Sequence, residues 1–287
     1  NSNFCSAYNV AMVIRQFSFI AIVAIGQTIV LISGGMDLSI GSIAGLCGIL
    51  SAWMMVHTAM NPFLCVLIGI LIGALCGAFN GLLISKGKLI PFVVTLATGS
   101  VYGGLIMVVT QGYAIMNLPR NVLFLGQGMI GPVPVPVLLM IIIMAIFYYI
   151  LKDTPFGRHV YAIGGNQEAA KLVGIKIDRV RFWVFTINGT LSAIAGILFV
   201  CRLATGQPTV GQTWVMPAVT AAILGGTSLK GGEGGVIGTV IGAALMGMIS
   251  NAIVILHVSA YWQDVITGAL VLLAVGIDKI RINTRKD

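Results

Sequence analysis

Phe63-Leu-Cys-Val-Leu-Ile-Gly-Ile-Leu-Ile-Gly-Ala-Leu-Cys-Gly-Ala-Phe-Asn-Gly-Leu-Leu-Ile-Ser85 runs for 23 residues without a charged side chain. A helix of that length, rising 1.5 Å per residue, matches the hydrocarbon core of a bilayer. Similar apolar stretches occupy residues 18–33, 39–57, 91–110, 134–151, 182–201, 214–229, 235–256 and 259–277, making nine candidate spans. Only 8% of the 287 residues are charged and 58% are hydrophobic. A soluble domain carries about 25% charged residues, so lipid must solvate much of this surface. The expected fold is an all-α, polytopic bundle of transmembrane helices, forming a single transmembrane domain over residues 1–287.

Several of these stretches are short, and 37 Gly and 9 Pro punctuate them. Broken helices survive in a membrane where protein or a cavity satisfies the backbone. The short spans beside glycine clusters are therefore candidates for half-helices lining a path. The same clusters also serve close helix packing. Gly34-Gly-Met-Asp-Leu38 and Gly225-Gly-Thr-Ser-Leu229 share a GGxxL pattern, each between two apolar spans, which suggests a duplicated architecture. Ahead of the first span, Tyr8 to Phe17 reads as a short interfacial helix ending near Arg15.

The net charge of +8 bears on orientation rather than on nucleic acid. Positive residues gather at Lys86 and Lys88, between Lys152 and Arg181, and in the tail from Lys279 to Lys286. The positive-inside rule assigns these segments to the cytoplasm. The parity of spans agrees with an outside N-terminal end and a cytoplasmic C-terminus. No signal-peptide pattern opens the chain; one further span upstream is expected, giving about ten in the full protein.

Catalytic signatures are missing. There is no G-x-x-x-x-G-K-[ST], no HExxH and no GxSxG. The five cysteines show no ligand spacing and read as small hydrophobes. His57, His159 and His257 are scattered and read as polar residues near an interface. The expectation is a membrane protein with no catalytic residue, no metal and no nucleotide site of its own.

Residues 152–181 form the most informative loop. Asn166 can cap a short helix, with Glu168 in its first turn, Lys171 near its end and Gly174 as its stop. Ala169 and Ala170 give it a small face suited to a groove on another protein; an ordinary surface loop fits the same spacing. Among polar residues in or near spans, Asp37, Ser39, Asn80, Thr95, Asn188 and Asn251 are candidates for a substrate path. Each could instead bond a neighbouring helix, and Asp37 could cap the helix after it.

The chain resembles the permease subunits of ribose- and galactose-type sugar ABC importers. The resemblance rests on Gly34-Gly-Met-Asp-Leu-Ser-Ile-Gly-Ser42, Phe156-Gly-Arg158, Ala162-Ile-Gly-Gly-Asn-Gln-Glu-Ala-Ala170, Gly174-Ile175, Gly225-Gly-Thr-Ser-Leu-Lys-Gly-Gly232 and Tyr261-Trp-Gln263, in that order along the whole chain. It implies a bacterial inner-membrane protein acting as a homodimer or with a second permease. ATP-binding subunits would carry ATP and Mg, and a periplasmic or lipid-anchored sugar-binding protein would deliver substrate. It also implies a coupling helix in which Gly164, Gly165, Asn166, Glu168, Ala169, Ala170 and Gly174 meet the ATPase. Arg202 and Gln207, in an outer loop by topology, are candidates for touching the binding protein. Permeases for branched-chain amino acids, nucleosides or signalling sugars remain alternatives, as does an ATP-independent secondary transporter.

Overall fold

The structure, a computed structural model, describes residues 7–255 together with Ser259, Trp262, Val265, Ile266, Gly268, Ala269, Leu272, Leu273 and Gly276. The candidate span 259–277, Tyr261-Trp-Gln263 as a motif, His257, Cys5 and the basic tail lie largely or wholly outside the described residues. The elements run α1 (Ala7–Ile32), α2 (Ile40–His57), α3 (Pro62–Ser85), α4 (Pro91–Thr110), α5 (Arg120–Gln127), β1 (Met129–Ile130), β2 (Val133–Pro134), α6 (Val135–Asp153), α7 (Pro155–Gly165), α8 (Gln167–Leu172), α9 (Ile177–Leu203), α10 (Val215–Leu224) and α11 (Val236–Ile255). Among the described residues, seven helices (α1, α2, α3, α4, α6, α9 and α11) are long and apolar enough to cross a membrane. β1 and β2 form a two-stranded hairpin.

Helix starts follow local chemistry. Asn61 Oδ1 accepts from Phe63 N at 2.9 Å, with Pro62 in the first turn of α3. Proline lacks the N–H that a first turn leaves unpaired. Thr154 Oγ1 accepts from Gly157 N at 3.3 Å, ahead of Pro155.

Two expectations are corrected. Tyr8 to Phe17 is not a separate interfacial helix: α1 runs unbroken from Ala7 to Ile32. No glycine or proline interrupts the sequence between Ala7 and Phe17, so the helix continues past Arg15. The stretch 214–229 is not a full span either. Its helix, α10, holds 10 residues and gives way at Gly225 to a glycine-rich turn.

The inner helices are α1, α2 and α9. Ile22, Ile25 and Ile29 of α1 are fully enclosed, as are Ala44, Cys47 and Ile49 of α2 and Ala193 and Cys201 of α9. The stretch that decided the fold lies against α9. Gly69, Gly73, Gly77 and Gly81 form one ridge of α3, facing Phe182, Phe185, Gly189, Ala193 and Ile197. A Cβ at Gly81 would stand 2.8 Å from the Phe182 carbonyl oxygen. Small residues allow that approach in lipid, where dispersion contacts replace the hydrophobic effect. The other face of α3 is a stripe of exposed Leu67, Leu71, Leu75 and Phe79, a surface that hydrocarbon solvates.

Candidate functional site

The basic segments at residues 86–88 and 152–181 meet at one end of the bundle. Lys88 Nζ contacts both carboxylate oxygens of Asp178, at 2.8 and 2.9 Å, joining the α3–α4 loop to the first turn of α9. Arg181 Nη2 donates to Gln167 Oε1 at 2.6 Å and holds the start of α8 against α9. Exposed pairs of this kind contribute ~0–1 kcal/mol each; their value here is positional.

At this same end three segments meet through backbone. Gly232 N donates to the Ile32 carbonyl at 2.8 Å. A Cβ at Gly231 would stand 3.0 Å from the Cα atoms of both Gly34 and Gly164, and one at Gly164 would collide with the Ile32 carbonyl. Gly231 and Gly232 have φ of +87° and +75°, the left-handed region that glycine enters without strain. Tyr161 Oη donates to the Gly234 carbonyl at 2.8 Å, adding a side-chain tie from α7 to the same turn. Burial pushes the Tyr161 phenol up from its ordinary range, which keeps it a donor. The two GGxxL turns therefore lie beside each other, with the end of α7 between them.

Gly164 thus faces inward in this knot. Gly165 and Asn166 are exposed. Asn166 Oδ1 accepts from Ala169 N at 3.0 Å, the capping bond expected of it. Glu168 and Ala169 are exposed, whereas Ala170 is buried against the bundle. Gly174 closes the segment at φ +83° with open space around it. Sequence reasoning missed the next residues: Leu172 and Val173 are 88% and 77% exposed. Two bare aliphatic side chains beside a polar helix form an apolar knob among Glu168, Lys171 and Lys176. The signal was present, since Leu-Val follows Lys171 in an otherwise polar run.

The polar residues within the bundle form a second constellation. Asp37, Ser39, Asn80, Thr95 and Asn188 are each fully buried. Asp37 Oδ1 accepts from Ser39 N at 2.8 Å and from Ser39 Oγ at 2.6 Å. Asn188 Nδ2 donates to Asp37 Oδ2 at 2.9 Å, and Asn80 Nδ2 donates to Ser39 Oγ at 2.9 Å. Leu38 N donates to Thr95 Oγ1 at 3.0 Å. In the amide orientation that satisfies both groups, Gln27 Nε2 donates to the Asp37 carbonyl at 3.2 Å and Oε1 accepts from Asp37 N at 3.3 Å. Gln27 was not foreseen, because one glutamine in an apolar helix carries no pattern. Asn80 Oδ1 and Asn188 Oδ1 are buried without a hydrogen-bond partner among the described residues.

A buried carboxylate is tolerable only when donors replace its water, and Asp37 has three. It does not cap the first turn of α2. It holds the N–H and hydroxyl of Ser39, the residue that precedes that helix. The network fixes the 33–39 turn against α1, α3, α4 and α9, and its side chains are fully buried. Asn251 lies apart on α11, with Nδ2 buried and without a hydrogen-bond partner among the described residues.

Arg202 and Gln207 sit at the far end of the bundle. The Arg202 guanidinium is over the Phe19 ring, 5.6 Å from its centroid, and its carbonyl accepts from Gln127 Nε2 at 2.9 Å. Gln207 is exposed in a loop that Gly206 anchors to Ile115 by two backbone bonds of 2.9 Å.

Comparison with known proteins gives one family match, described as branched-chain amino acid transport system / permease component, over residues 9–275. The ribose import permease protein of Bacillus subtilis (strain 168) is 42% identical over 281 residues, covering 97% of this chain and 87% of its own. The ribose import permease protein of Haemophilus influenzae is 40% identical over 290 residues, covering 100% and 89%. The D-allose transport system permease protein of Escherichia coli (strain K12) is 33% identical over 279 residues, covering 96% and 85%. No solved structure matches.

Proposed function

The chain belongs to the branched-chain amino acid transport system / permease component family, and from that premise we propose that it is the membrane-spanning subunit of an ATP-driven monosaccharide importer. The observation that carries the reading is the near-full-length likeness to two ribose import permeases and an allose transport permease. A neutral polyol also suits a bundle whose fully buried carboxylate, Asp37, is already occupied by three protein donors. A zwitterionic amino acid would call for charged or helix-end partners along its path.

In this reading the basic end faces the cytoplasm of a bacterial inner membrane, and the C-terminus lies on that side. A separate ATP-binding subunit receives the exposed face of α8, with Leu172 and Val173 as the apolar anchors and Glu168 and Ala169 at the rim. Apolar side chains removed from water on docking supply the gain, at about 25 cal/mol per Å². The packed glycines carry movement inward: Gly164 cannot shift without moving Ile32 and the 231–232 turn, because only backbone lies between them. That movement biases the bundle between two packings, as rigid elements do in other transporters. The buried network around Asp37 sits on the turn that directly follows Ile32. Opening of that turn would present Asp37, Ser39, Asn80, Thr95 and Asn188 to a sugar; Asn251 would meet it separately. Arg202 and Gln207 at the far end would meet a sugar-binding protein outside, and a second permease, a homodimer partner, would complete the path.

The test is reconstitution. The permease, an ATP-binding subunit and a binding protein in vesicles should import radiolabelled ribose or allose on ATP addition, and excess leucine should not compete. Leucine competition without sugar uptake would replace this reading with an amino-acid permease.

A further inference from the structure

The far half of the bundle holds a cavity of about 180 Å³ between residues 16–20 of α1, the end of α9, the start of α10 and residues 243–250 of α11. Its walls include Phe17, Phe199 and Trp214, and its polar groups include Gln16, Thr213 and Ser250. The rings hold one another in place. Phe199 meets Phe19 edge-to-face, with centroids 5.3 Å apart at 85°, and meets Trp214 in the same way at 5.2 Å and 89°. Aromatic pairs prefer this geometry, so the walls are set before any ligand arrives. Among the described residues, no charged side chain lines the cavity.

These features select a ligand class. The Arg202 guanidinium lies over the Phe19 ring and outside the lining, so the described walls suit a neutral molecule. The aromatic side chains give the cavity an apolar wall for C–H groups. One amide and two hydroxyls, which can both donate and accept, suit a ligand rich in hydroxyl groups. A desolvated hydroxyl without a partner costs roughly 2–7 kcal/mol, so such a ligand needs groups of this kind. Drug-sized molecules occupy cavities of ~300–1,000 Å³, which makes this one suited to something smaller. We propose that the cavity is a resting site for one monosaccharide, its apolar C–H face on the Phe199–Trp214 wall and its hydroxyls toward Gln16, Thr213 and Ser250. The proposal rests on the monosaccharide-importer reading. It adds a sugar contact in the opposite half of the bundle, apart from the Asp37 network. An acyl chain of a lipid is the competing occupant, and it has no use for the polar group at each side.

The site is testable in two arms. In the first, the permease in phosphatidylcholine nanodiscs is titrated with D-ribose while tryptophan fluorescence is followed. A saturable change, lost in Trp214→Phe, is expected. The absence of a saturable change, or its persistence in that variant, overturns the site. Strong quenching of Trp214 by phosphatidylcholine with brominated acyl chains, unaffected by ribose, overturns it in favour of lipid. In the second arm, the assembled importer carries Phe199→Ala or the milder Thr213→Val, the latter at an exposed position where folding is not at stake. Each should raise the KM for ribose uptake roughly tenfold with kcat nearly unchanged, the mark of lost ground-state binding. Wild-type KM in both variants overturns the site while leaving the importer reading intact. Failure of the wild-type assembly to import any monosaccharide overturns both.

Discussion

Asn188, midway along α9, donates through Nδ2 to Asp37 Oδ2 at 2.9 Å and so ties the most enclosed helix to the turn between α1 and α2. The two residues are 151 positions apart. The bond exchanges one buried polar demand for another, since neither group has water to fall back on. Removing one partner therefore exposes the full desolvation cost of the other.

Substitutions in this network should rank by the donors they strand. Asp37→Ala leaves Ser39 N, Ser39 Oγ and Asn188 Nδ2 without their acceptor and should be the most damaging. Asn188→Ala removes one of three donors from Asp37 and should cost about 1–3 kcal/mol. Asp37→Asn keeps an oxygen toward Ser39, and a turned Asn188 amide can accept from the new NH2, so its loss should be smallest. Thermal unfolding in detergent, read on the three variants, checks the order. An Asp37→Ala protein as stable as wild type would show that the network does not hold the turn.

The glycines separate by what surrounds them. Gly174 and Gly232 share positive φ, +83° and +75°. Gly174 has open space around it, whereas a Cβ at Gly232 would stand 2.8 Å from the Gly165 Cα. Gly174→Ala should cost only the conformational penalty, about 1–2 kcal/mol. Gly232→Ala should cost more and should impair transport, because backbone must part to admit the methyl. Paired measurements of melting temperature and sugar uptake distinguish the two; equal effects would count against a packed knot.

Tyr161→Phe isolates a single tie in the same region. The phenol donates to the Gly234 carbonyl at 2.8 Å, and its loss removes a hydrogen bond while keeping the ring. A stability loss of about 0.5–1.5 kcal/mol is expected. Amide exchange should quicken in the 225–235 turn and remain unchanged at Asn61 and Phe63, at the distant start of α3.

Much of this was legible in the chain because lipid imposes simple rules. Uncharged runs such as 63–85 and 91–110 announced α3 and α4 to within a residue or so. Basic residues marked the end at which Lys88 meets Asp178. The cap at Asn166 and the stop at Gly174 appeared where local chemistry demanded them. What stayed hidden depends on helix faces. When both sides of a helix are apolar, one toward protein and one toward lipid, hydrophobicity no longer tells them apart; the α3 glycine ridge emerges only against α9. The aromatic cavity was equally invisible, since Phe17, Phe199, Trp214 and Ser250 come from four distant elements. Asp37, Ser39, Asn80, Thr95 and Asn188 were picked out singly, yet nothing in their spacing revealed that they form one network.

The exposed surface of α8 gives the sharpest separation between folding and partnership. Leu172 and Val173 are 88% and 77% exposed, so Leu172→Asp or Val173→Asp removes almost nothing from the folded chain and should leave its stability within about 0.5 kcal/mol of wild type. A partner that seats those aliphatic groups would meet a carboxylate in an apolar pocket, a desolvation cost with no compensating donor. Recovery of the ATP-binding subunit with the permease should fall steeply in both variants. Glu168→Lys and Ala169→Trp act at the rim, by charge reversal and by bulk, and should abolish sugar-stimulated ATP hydrolysis while membrane insertion persists. Asn166→Ala works differently: it uncaps α8 for about 1 kcal/mol and should weaken docking only in proportion to the frayed helix. If the aspartate variants assemble and transport as wild type does, the partner grips another surface, and the knob formed by Leu172 and Val173 has no part in coupling.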